Sequence, residues 1–416
     1  MNSNKGDYDV FIDEFNKYEE NFFEDCLQYN DLCWWHFVRY KIMVEILIAK
    51  KIDKPAHKII KKNKIKNTVK DIYILFSDIK RIFFAKKNKV QNFYFFTRRI
   101  EYLEELLNAE KKDHLIISRQ NNNSNYKIFI SYKTIFIIAK FIKFFIVIRK
   151  NIKEKIFEIS KEIRTKYHIN VHQLILEKYK TEIGFYYAWK IILINFPNLK
   201  KLFFTSNDNH YSLIYLTKKF KIESFEVQHG YMGATNIMYS LPKVKASLTT
   251  LPNKIIITNK TKDITYPVEQ ILIAKKKENN KETFFKKNID ILIGSDLHFF
   301  KETIELSKIF LDKKLEVCIK LHPSQIDYQY YRKQIPLKIK VYSGDYEIKK
   351  LLKKSKIFIP IFPMSTTLFT AKEFKNIIIC YRFMNMRPST IFEELIDFTA
   401  DSTKELYSYV KKLIDK

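Results

Sequence analysis

The sequence predicts an α/β protein built from two Rossmann-like domains in succession, with a helical region before them, and three observations carry that expectation. The chain has 416 residues, of which 46% are hydrophobic, enough for two domains of ordinary size with a core in each. Two separate series of short apolar runs alternate with stretches whose apolar residues recur at three- and four-residue spacing. A polar, lysine-rich interval at 275–288 parts the two series, so the boundary falls between about 250 and 285. The expected division is a helical region over 1–70, a first Rossmann-like domain over 71–270 and a second over 285–416.

Residues 8–50 read as helices, since Phe11, Phe15, Tyr18 and Phe22, and then Leu27 to Ile48, keep helical spacing. Asn30-Asp31 can start the second of them, with Trp34, Trp35, Phe37 and Val38 facing the body. The basic run Lys50–Lys70 reads as a solvated helix face or loop. From Asp71 the runs shorten: DIYILF, NFYFF at 92–96, HLIIS at 114–118 and KIFI at 127–130 are expected strands, with a helix over Arg98–Ala109. A helical tract over Phe136–Phe196 follows, amphipathic at Lys150–Lys166 and richer in aromatics at Thr181–Phe196. KLFFTS (201–206) is the next strand, Asn207–Phe220 a helix opened by Asn207-Asp208, and Ile222–Val227 a strand.

The second series has strands at 290–296, 316–323, 339–344, 356–362 and 376–381, separated by helices near 298–313, 345–354 and 364–374. Five regularly spaced strands with helices between them read as a Rossmann-like domain.

Composition narrows the partners. The 75 basic and 46 acidic residues leave a net charge of +29, which favours anionic ligands: nucleotides, acidic glycans, nucleic acid or an anionic membrane face. A nucleic-acid module is not expected, because the basic residues lack interleaved stacking aromatics or a helix-turn-helix. Cys26, Cys33, Cys318 and Cys380 form no CxxC pair and no zinc spacing, which fits free thiols in a reducing cytoplasm. The opening MNSNKGDYDVFIDEF is polar and acidic and does not read as a secretory leader. Tyr132–Lys150 is the most apolar window. Lys140 and Lys143 interrupt it before the roughly 20 residues a spanning helix needs, so it reads either as a buried or interdomain helix or as one lying at a membrane surface with its lysines snorkelling.

Ligands of open α/β sheets bind beyond the carboxyl ends of the strands, so polar residues at those ends are the ones to weigh. IESFEVQHGYMG (222–233) is an apolar run that stops at Gln228-His229-Gly230. Only 6 glycines occur in the chain, so Gly230 and Gly233, three positions apart, suggest a bend or a close approach, although an ordinary turn with one exposed histidine would look the same. The other strand ends bring Ser206-Asn207-Asp208-Asn209, His322-Pro323-Ser324 and Pro363-Met364-Ser365-Thr366-Thr367. Ser365, Thr366 and Thr367 open a helix, where unpaired N–H groups and hydroxyls can bind an anion or simply cap the helix. His322 could donate to a phosphate or leaving group, or satisfy a local turn. Glu373 could accept from sugar hydroxyls, or be plain surface.

A strand ending in Gln-His-Gly, a later Lys-Leu-His-Pro and a Ser-Thr-Thr helix start together resemble bacterial capsule and surface-polysaccharide glycosyltransferases of the GT-B arrangement, two Rossmann-like domains facing a cleft. These include enzymes using CMP-activated sialic acid or Kdo, with CDP-glycerol polymer transferases as relatives. The resemblance covers roughly residues 200–385. It implies that His322, with Ser365 and Thr366, contacts the donor phosphate, that Gln228 and His229 face donor sugar or acceptor together with Gly230 and Asn207, and that Gly294-Ser295-Asp296 lies under the nucleotide. Thr367, Lys320 and Pro323 would complete the donor site, with Glu373 at the sugar. Asp208 is the preferred catalytic base and Glu226 the second choice, since strand alternation could bury it.

A single phosphate on a CMP donor, and the absence of a DxD motif at a plausible strand end, point to a metal-independent reaction without a cofactor. The expected partners are a nucleotide-sugar and a glycan or lipid-linked acceptor, with the protein cytoplasmic and peripheral on the inner membrane face. A CDP-glycerol-type polyol-phosphate transferase, or a non-catalytic basic scaffold on anionic polymer or membrane, are the alternatives. Sparse glycine, especially over Lys254–Lys275, departs from the family pattern and leaves the donor open.

Overall fold

The computed structural model describes residues 7–21, 27–29, 32–50, 64–84, 90–96, 114–118, 128–205, 211–227, 251–257, 268–272, 287–297, 299–311, 315–325, 327–361, 367–382 and 390–415. The chain divides into two compact units. One comprises Glu14–Ile46 with Ile60–Lys276, the other Lys277–Lys416 with Met1–Asp13 and Leu47–Ile59.

The N-terminal elements are α1 (Asp7–Glu20), a two-stranded antiparallel pair β1 (Leu27–Tyr29) and β2 (Leu32–Cys33), α2 (Trp34–Ala49) and α3 (Lys64–Phe84). Two expectations are corrected here. Leu27–Tyr29 and Leu32–Cys33 form a short antiparallel strand pair rather than helix. DIYILF is not a strand. Val69, Ile72, Phe76, Ile79 and Phe83 extend a three- and four-residue spacing through both sides of it, so the run belongs to α3.

Seven parallel strands make the first sheet: β3 (Asn92–Phe96), β4 (His114–Ser118), β5 (Ile128–Ser131), β6 (Lys201–Phe204), β7 (Glu223–Val227), β8 (Lys254–Ile257) and β9 (Glu269–Leu272). Their spatial order is β5-β4-β3-β6-β7-β8-β9. The expected helical tract between β5 and β6 is three helices, α4 (Tyr132–Phe144), α5 (Lys150–Tyr167) and α6 (His172–Ile194). α5 ends on His168 in the left-handed region, φ 59°. α7 (Tyr211–Lys219) joins β6 to β7. Strand alternation sorts the sheet's aromatics to its two faces. Phe93 and Phe95 pack on Trp189 of α6, whereas Tyr94, Phe203 and Phe225 stack across β3, β6 and β7 at 5.0 and 4.8 Å between rings.

A buried pair anchors α2 in the first unit. Arg39 Nε donates to Glu19 at 2.7 Å and the Arg39 guanidinium also reaches Asn16 Oδ1 at 2.6 Å, with Trp35 Nε1 donating to the same carboxylate. Both charges are almost fully buried, so removing either partner would strand the other at a cost of about 3–5 kcal/mol. Asp78 of α3 works in the same way at another joint. It accepts from Ser131 N at 2.8 Å and Thr134 Oγ1 at 2.6 Å, tying α3 to the start of α4.

The second unit holds six parallel strands, β10 (Ile289–Gly294), β11 (Val317–Lys320), β12 (Lys340–Tyr342), β13 (Ser355–Pro360), β14 (Ile377–Tyr381) and β15 (Phe398–Ala400). The helices are α8 (Phe300–Ile309), α9 (Tyr328–Arg332), α10 (Ile348–Leu352), α11 (Thr367–Glu373), α12 (Thr390–Glu393) and α13 (Thr403–Ile414). Their order, β12-β11-β10-β13-β14-β15, is 3-2-1-4-5-6 in chain sequence, the order of doubly wound nucleotide-binding sheets. The first sheet follows the same order with a seventh strand added at one edge. Both sheets have near-continuous apolar strands, as parallel sheets covered on two faces require; Ile291, Ile293, Ile319, Ile357 and Ile359 form the centre of the second core.

The expected α/β class with two parallel sheets is what the chain adopts. The helix expected over Arg98–Ala109 lies outside the described residues. Cys318 and Cys380 are free and buried, and burial pushes their thiols up to about 11 and about 12. Among the described residues no helix is long and apolar enough to cross a membrane.

His36 supplies a pH test of the first unit. It is fully buried and stacked 5.2 Å from Tyr211, and burial, reinforced by Arg39, lowers its pKa from 6.5 to about 3. Between those values the unfolded chain binds a proton that the folded chain refuses, so this group's contribution is complete well above pH 6.5 and is lost as pH falls through that value. Wild type should lose about 1.7 kcal/mol more than His36→Phe between pH 6.5 and 5 in urea unfolding, the slope approaching about 1.36 kcal/mol per unit below pH 6.5. Parallel pH dependence of the two proteins would show that His36 is not the acid-sensitive group.

Candidate functional site

Parallel pairing brings the carboxyl ends of the second unit's strands to one edge, and the register sets which residues stand level there. Gly294 pairs with Lys320 on one side and Pro360 on the other, and Lys320 pairs with Tyr342. The backbone ladder runs one step past the strands: Ser295 N donates to Lys320 O at 2.9 Å, Leu321 N to Tyr342 O at 3.0 Å and Ile361 N to Gly294 O at 3.0 Å. His322 therefore stands just past the edge, on the strand next to the one from which the sheet reverses direction.

The His322–Gln325 segment is a tight turn closed from three directions. Gln325 N donates to His322 O at 2.8 Å, and His322 N donates to the Gln325 side-chain oxygen at 2.7 Å. Ser324 N donates to His322 Nδ1 at 3.1 Å. Because Nδ1 accepts a backbone hydrogen, the neutral ring carries its own hydrogen on Nε2, and the half-buried imidazole is oriented as an Nε2 donor. Such a group can hydrogen-bond an anionic oxygen without itself being charged.

Lys320 lies beneath this turn. It is 5% exposed, and its ammonium donates to Leu321 O at 2.6 Å and Gly344 O at 3.0 Å. The lysine thus draws the turn after β12 against the end of β11 while leaving a positive charge close to His322. Gly344 permits the approach. A Cβ there would stand 2.6 Å from His322 O and 3.0 Å from Pro323 Cα, both backbone atoms. Its need is for space, since no glycine among the described residues has positive φ.

On β10, a Cβ at Gly294 would meet the Phe358 ring at 3.0 Å. Ser295 is buried, its Oγ 3.3 Å from Thr303 Oγ1. The Thr303 hydroxyl gives its one hydrogen to Phe299 O at 3.0 Å, so Ser295 is the donor between them. Pro323 is exposed and Asp296 half-buried.

The remaining predicted residues are less gathered. Thr367 is the first residue of α11 and Glu373 the last, exposed at its far end about 9 Å along the axis, so the helix does not bring the two together. Glu226 is fully buried on β7 of the first unit, opposite Phe204 and Ile255. Asn207, Asp208, Gln228, His229, Gly230, Ser365 and Thr366 lie outside the described residues, as does Gly233. Among the described residues no three His, Cys, Asp or Glu side chains converge to hold a metal ion.

Two residues that sequence reasoning passed over position the turn. Gly344 carried a usable signal, being one of only 6 glycines. Gln325 carried none, since a glutamine three residues after a histidine is common. Its side chain is 1% exposed, its Oε1 holds the His322 N–H, and its Nε2 finds no hydrogen-bond partner among the described residues.

No family model matches the chain, and no curated protein matches it. Solved structures do. The glycotransferase of kitacinnamycin is 9% identical, covering 78% of this chain and 90% of its own, with a TM-score of 0.41. Sucrose-phosphate synthase from Thermosynechococcus elongatus is 10% identical over 78% and 90%, with a TM-score of 0.42. An Arabidopsis thaliana protein crystallised with UDP-L-rhamnose is 7% identical over 77% and 88%, with a TM-score of 0.43. Likenesses at this level add nothing to what the strand orders already show.

Gly344→Ala should lower stability by about 1–3 kcal/mol, because the backbone of the His322 turn must shift, and Gly294→Ala should be milder because only a ring has to yield. Equal melting temperatures for wild type and Gly344→Ala would show that the turn does not depend on this close approach.

Proposed function

We propose that the protein is a glycosyltransferase that moves a sugar from a nucleotide-activated donor, CMP-linked in our reading, to a hydroxyl of a glycan or lipid-linked acceptor in bacterial surface-polysaccharide synthesis. The observation that carries the reading is the His322 turn. An imidazole fixed as an Nε2 donor stands at the carboxyl edge of a 3-2-1-4-5-6 sheet, beside the buried Lys320 charge. That is where doubly wound sheets bind the phosphates of nucleotides, and a donor there suits a phosphate oxygen that gains charge as the sugar departs.

In this reaction the acceptor oxygen forms the new bond to the anomeric carbon while the bond from that carbon to the phosphate oxygen breaks, the electron pair leaving with the nucleotide. His322 donates to the departing phosphate, and Ser365, Thr366 and Thr367 are assigned to the same group on the strength of the motif. Asp208 takes the proton of the acceptor hydroxyl. Glu226 is the weaker choice, since its full burial keeps it from an acceptor that arrives from solvent. Gln228 and His229 are assigned to donor sugar or acceptor, with Gly230 and Asn207 beside them. No metal or cofactor is part of this reading, and the site of action is the cytoplasmic face of the membrane.

Thermal melting with CMP, CDP, UDP and GDP is the test. CMP should stabilise the wild type, by about 2.7 kcal/mol at a hundred times its Kd. His322→Ala should keep the unliganded melting temperature and lose most of that shift together with transfer. A larger shift with CDP would favour the polyol-phosphate transferase. No shift with any nucleotide, with salt-sensitive binding to anionic polymer instead, would favour a scaffold. Wild-type turnover in His322→Ala would remove this residue from the mechanism.

A further inference from the structure

The outward side of α4 and the connection behind it carry a cluster that transfer chemistry does not use. The helix buries Thr134, Ile135 and Ala139, and Gly184 of α6 lets the Ala139 carbonyl come close. The opposite face, at three- and four-residue spacing, presents Lys133, Phe136, Lys140 and Phe144. Phe141, Phe144, Phe145 and Val147 are 68%, 85%, 65% and 87% exposed. The rings gather, Phe145 lying 5.2 Å from Phe141 and 5.5 Å from Phe144. Large apolar side chains grouped on a surface in this way mark an interaction site rather than ordinary exposure.

Charge selects the partner. Lys133, Lys140, Lys143, Arg149 and Lys150 fall within residues 132–150, and no acidic residue does. Lys143 is engaged by Glu177 at 2.7 Å, and Lys150 is 3.8 Å from Glu154 and 91% exposed. A second copy of the chain is a poor occupant, because pairing two such clusters would bring their cations together. We infer that Phe141, Phe144, Phe145 and Val147 enter the interface of an anionic lipid bilayer, with Lys140, Arg149 and Lys150 on its headgroups. Burial of apolar side chains to the depth of the acyl boundary, framed by cations, is how surface-bound helices hold to membranes. The inference rests on the first unit's surface and is independent of the transfer reaction.

The test is flotation of the full chain with vesicles of phosphatidylcholine, alone or mixed with phosphatidylglycerol. Wild type should float with the mixed vesicles, more weakly with the neutral ones, and less as salt rises. Phe144→Ser/Phe145→Ser should reduce partition ~tenfold or more with its melting temperature unchanged. Lys140→Gln/Lys150→Gln should reduce it by a similar ~tenfold, on mixed vesicles only. The proposal fails if wild type does not bind mixed vesicles or if the two double variants bind as wild type does. It also fails if, without lipid, wild type self-associates with rising concentration and Phe144→Ser/Phe145→Ser does not, which would make a second copy the occupant.

Discussion

Parallel strand pairing is the constraint on which the rest of this structure depends. A parallel ladder sends the chain back over the sheet between strands, so all carboxyl ends collect on one edge and the loops that follow them meet there. In the second unit the register makes this concrete, with Gly294, Lys320, Tyr342 and Pro360 standing in one row. Residues separated by up to 66 positions in sequence become neighbours through it. His322 and Gly344 are one such pairing, and the approach between them exists only because β11 and β12 end side by side.

The site is held by backbone more than by side-chain pairs. The imidazole of His322 is oriented by the Ser324 N–H, its backbone by the Gln325 amide, and the whole turn by the Lys320 ammonium gripping carbonyls on both sides. Burying a lysine is expensive unless its hydrogens are met, and here two carbonyls meet two of the three. The same economy recurs in the first unit, where Glu19 and Arg39 are buried together and Asp78 is satisfied by Ser131 and Thr134. In each case a charge fixes a joint between elements distant in sequence.

Much of the fold was legible because parallel strands announce themselves. NFYFF, HLIIS and KLFF, and the central strands expected in the second series, are largely apolar on both faces and bounded by polar turns, whereas the edge strand Lys340–Tyr342 is exposed or half-buried along its length. DIYILF failed for the same reason the others succeeded: six residues show an apolar run but not its period, and the helical spacing emerges only over all of Lys64–Phe84. The strand pair Leu27–Tyr29 and Leu32–Cys33 was hidden because two strands of three and two residues show no period of their own. β8, β9, β15, α9 and α12 were passed over, since three- and four-residue strands and single-turn helices carry little pattern of their own; α13 was passed over although its twelve residues, with Leu406 and Val410 buried four apart, do carry a helical spacing. Of the site, His322 was visible from its Lys-Leu-His-Pro context, whereas the roles of Gln325 and Gly344 depend on contacts that no local window contains. Lys320, expected beside the donor phosphate, also holds the Leu321 and Gly344 carbonyls, the second of these a contact that no local window contains.

The central claim is that the turn at His322, at the carboxyl edge of the second sheet, is where a nucleotide donor binds. Hydrogen–deuterium exchange of the full chain with and without CMP tests it most directly, since bound ligand slows local opening. The account predicts added protection in the peptides spanning 294–297, 320–325 and 342–346, adjoining strands at one edge, with the outer helices α5 and α13 unchanged. Protection absent from all three peptides while CMP binds, or confined to the first unit, would contradict it.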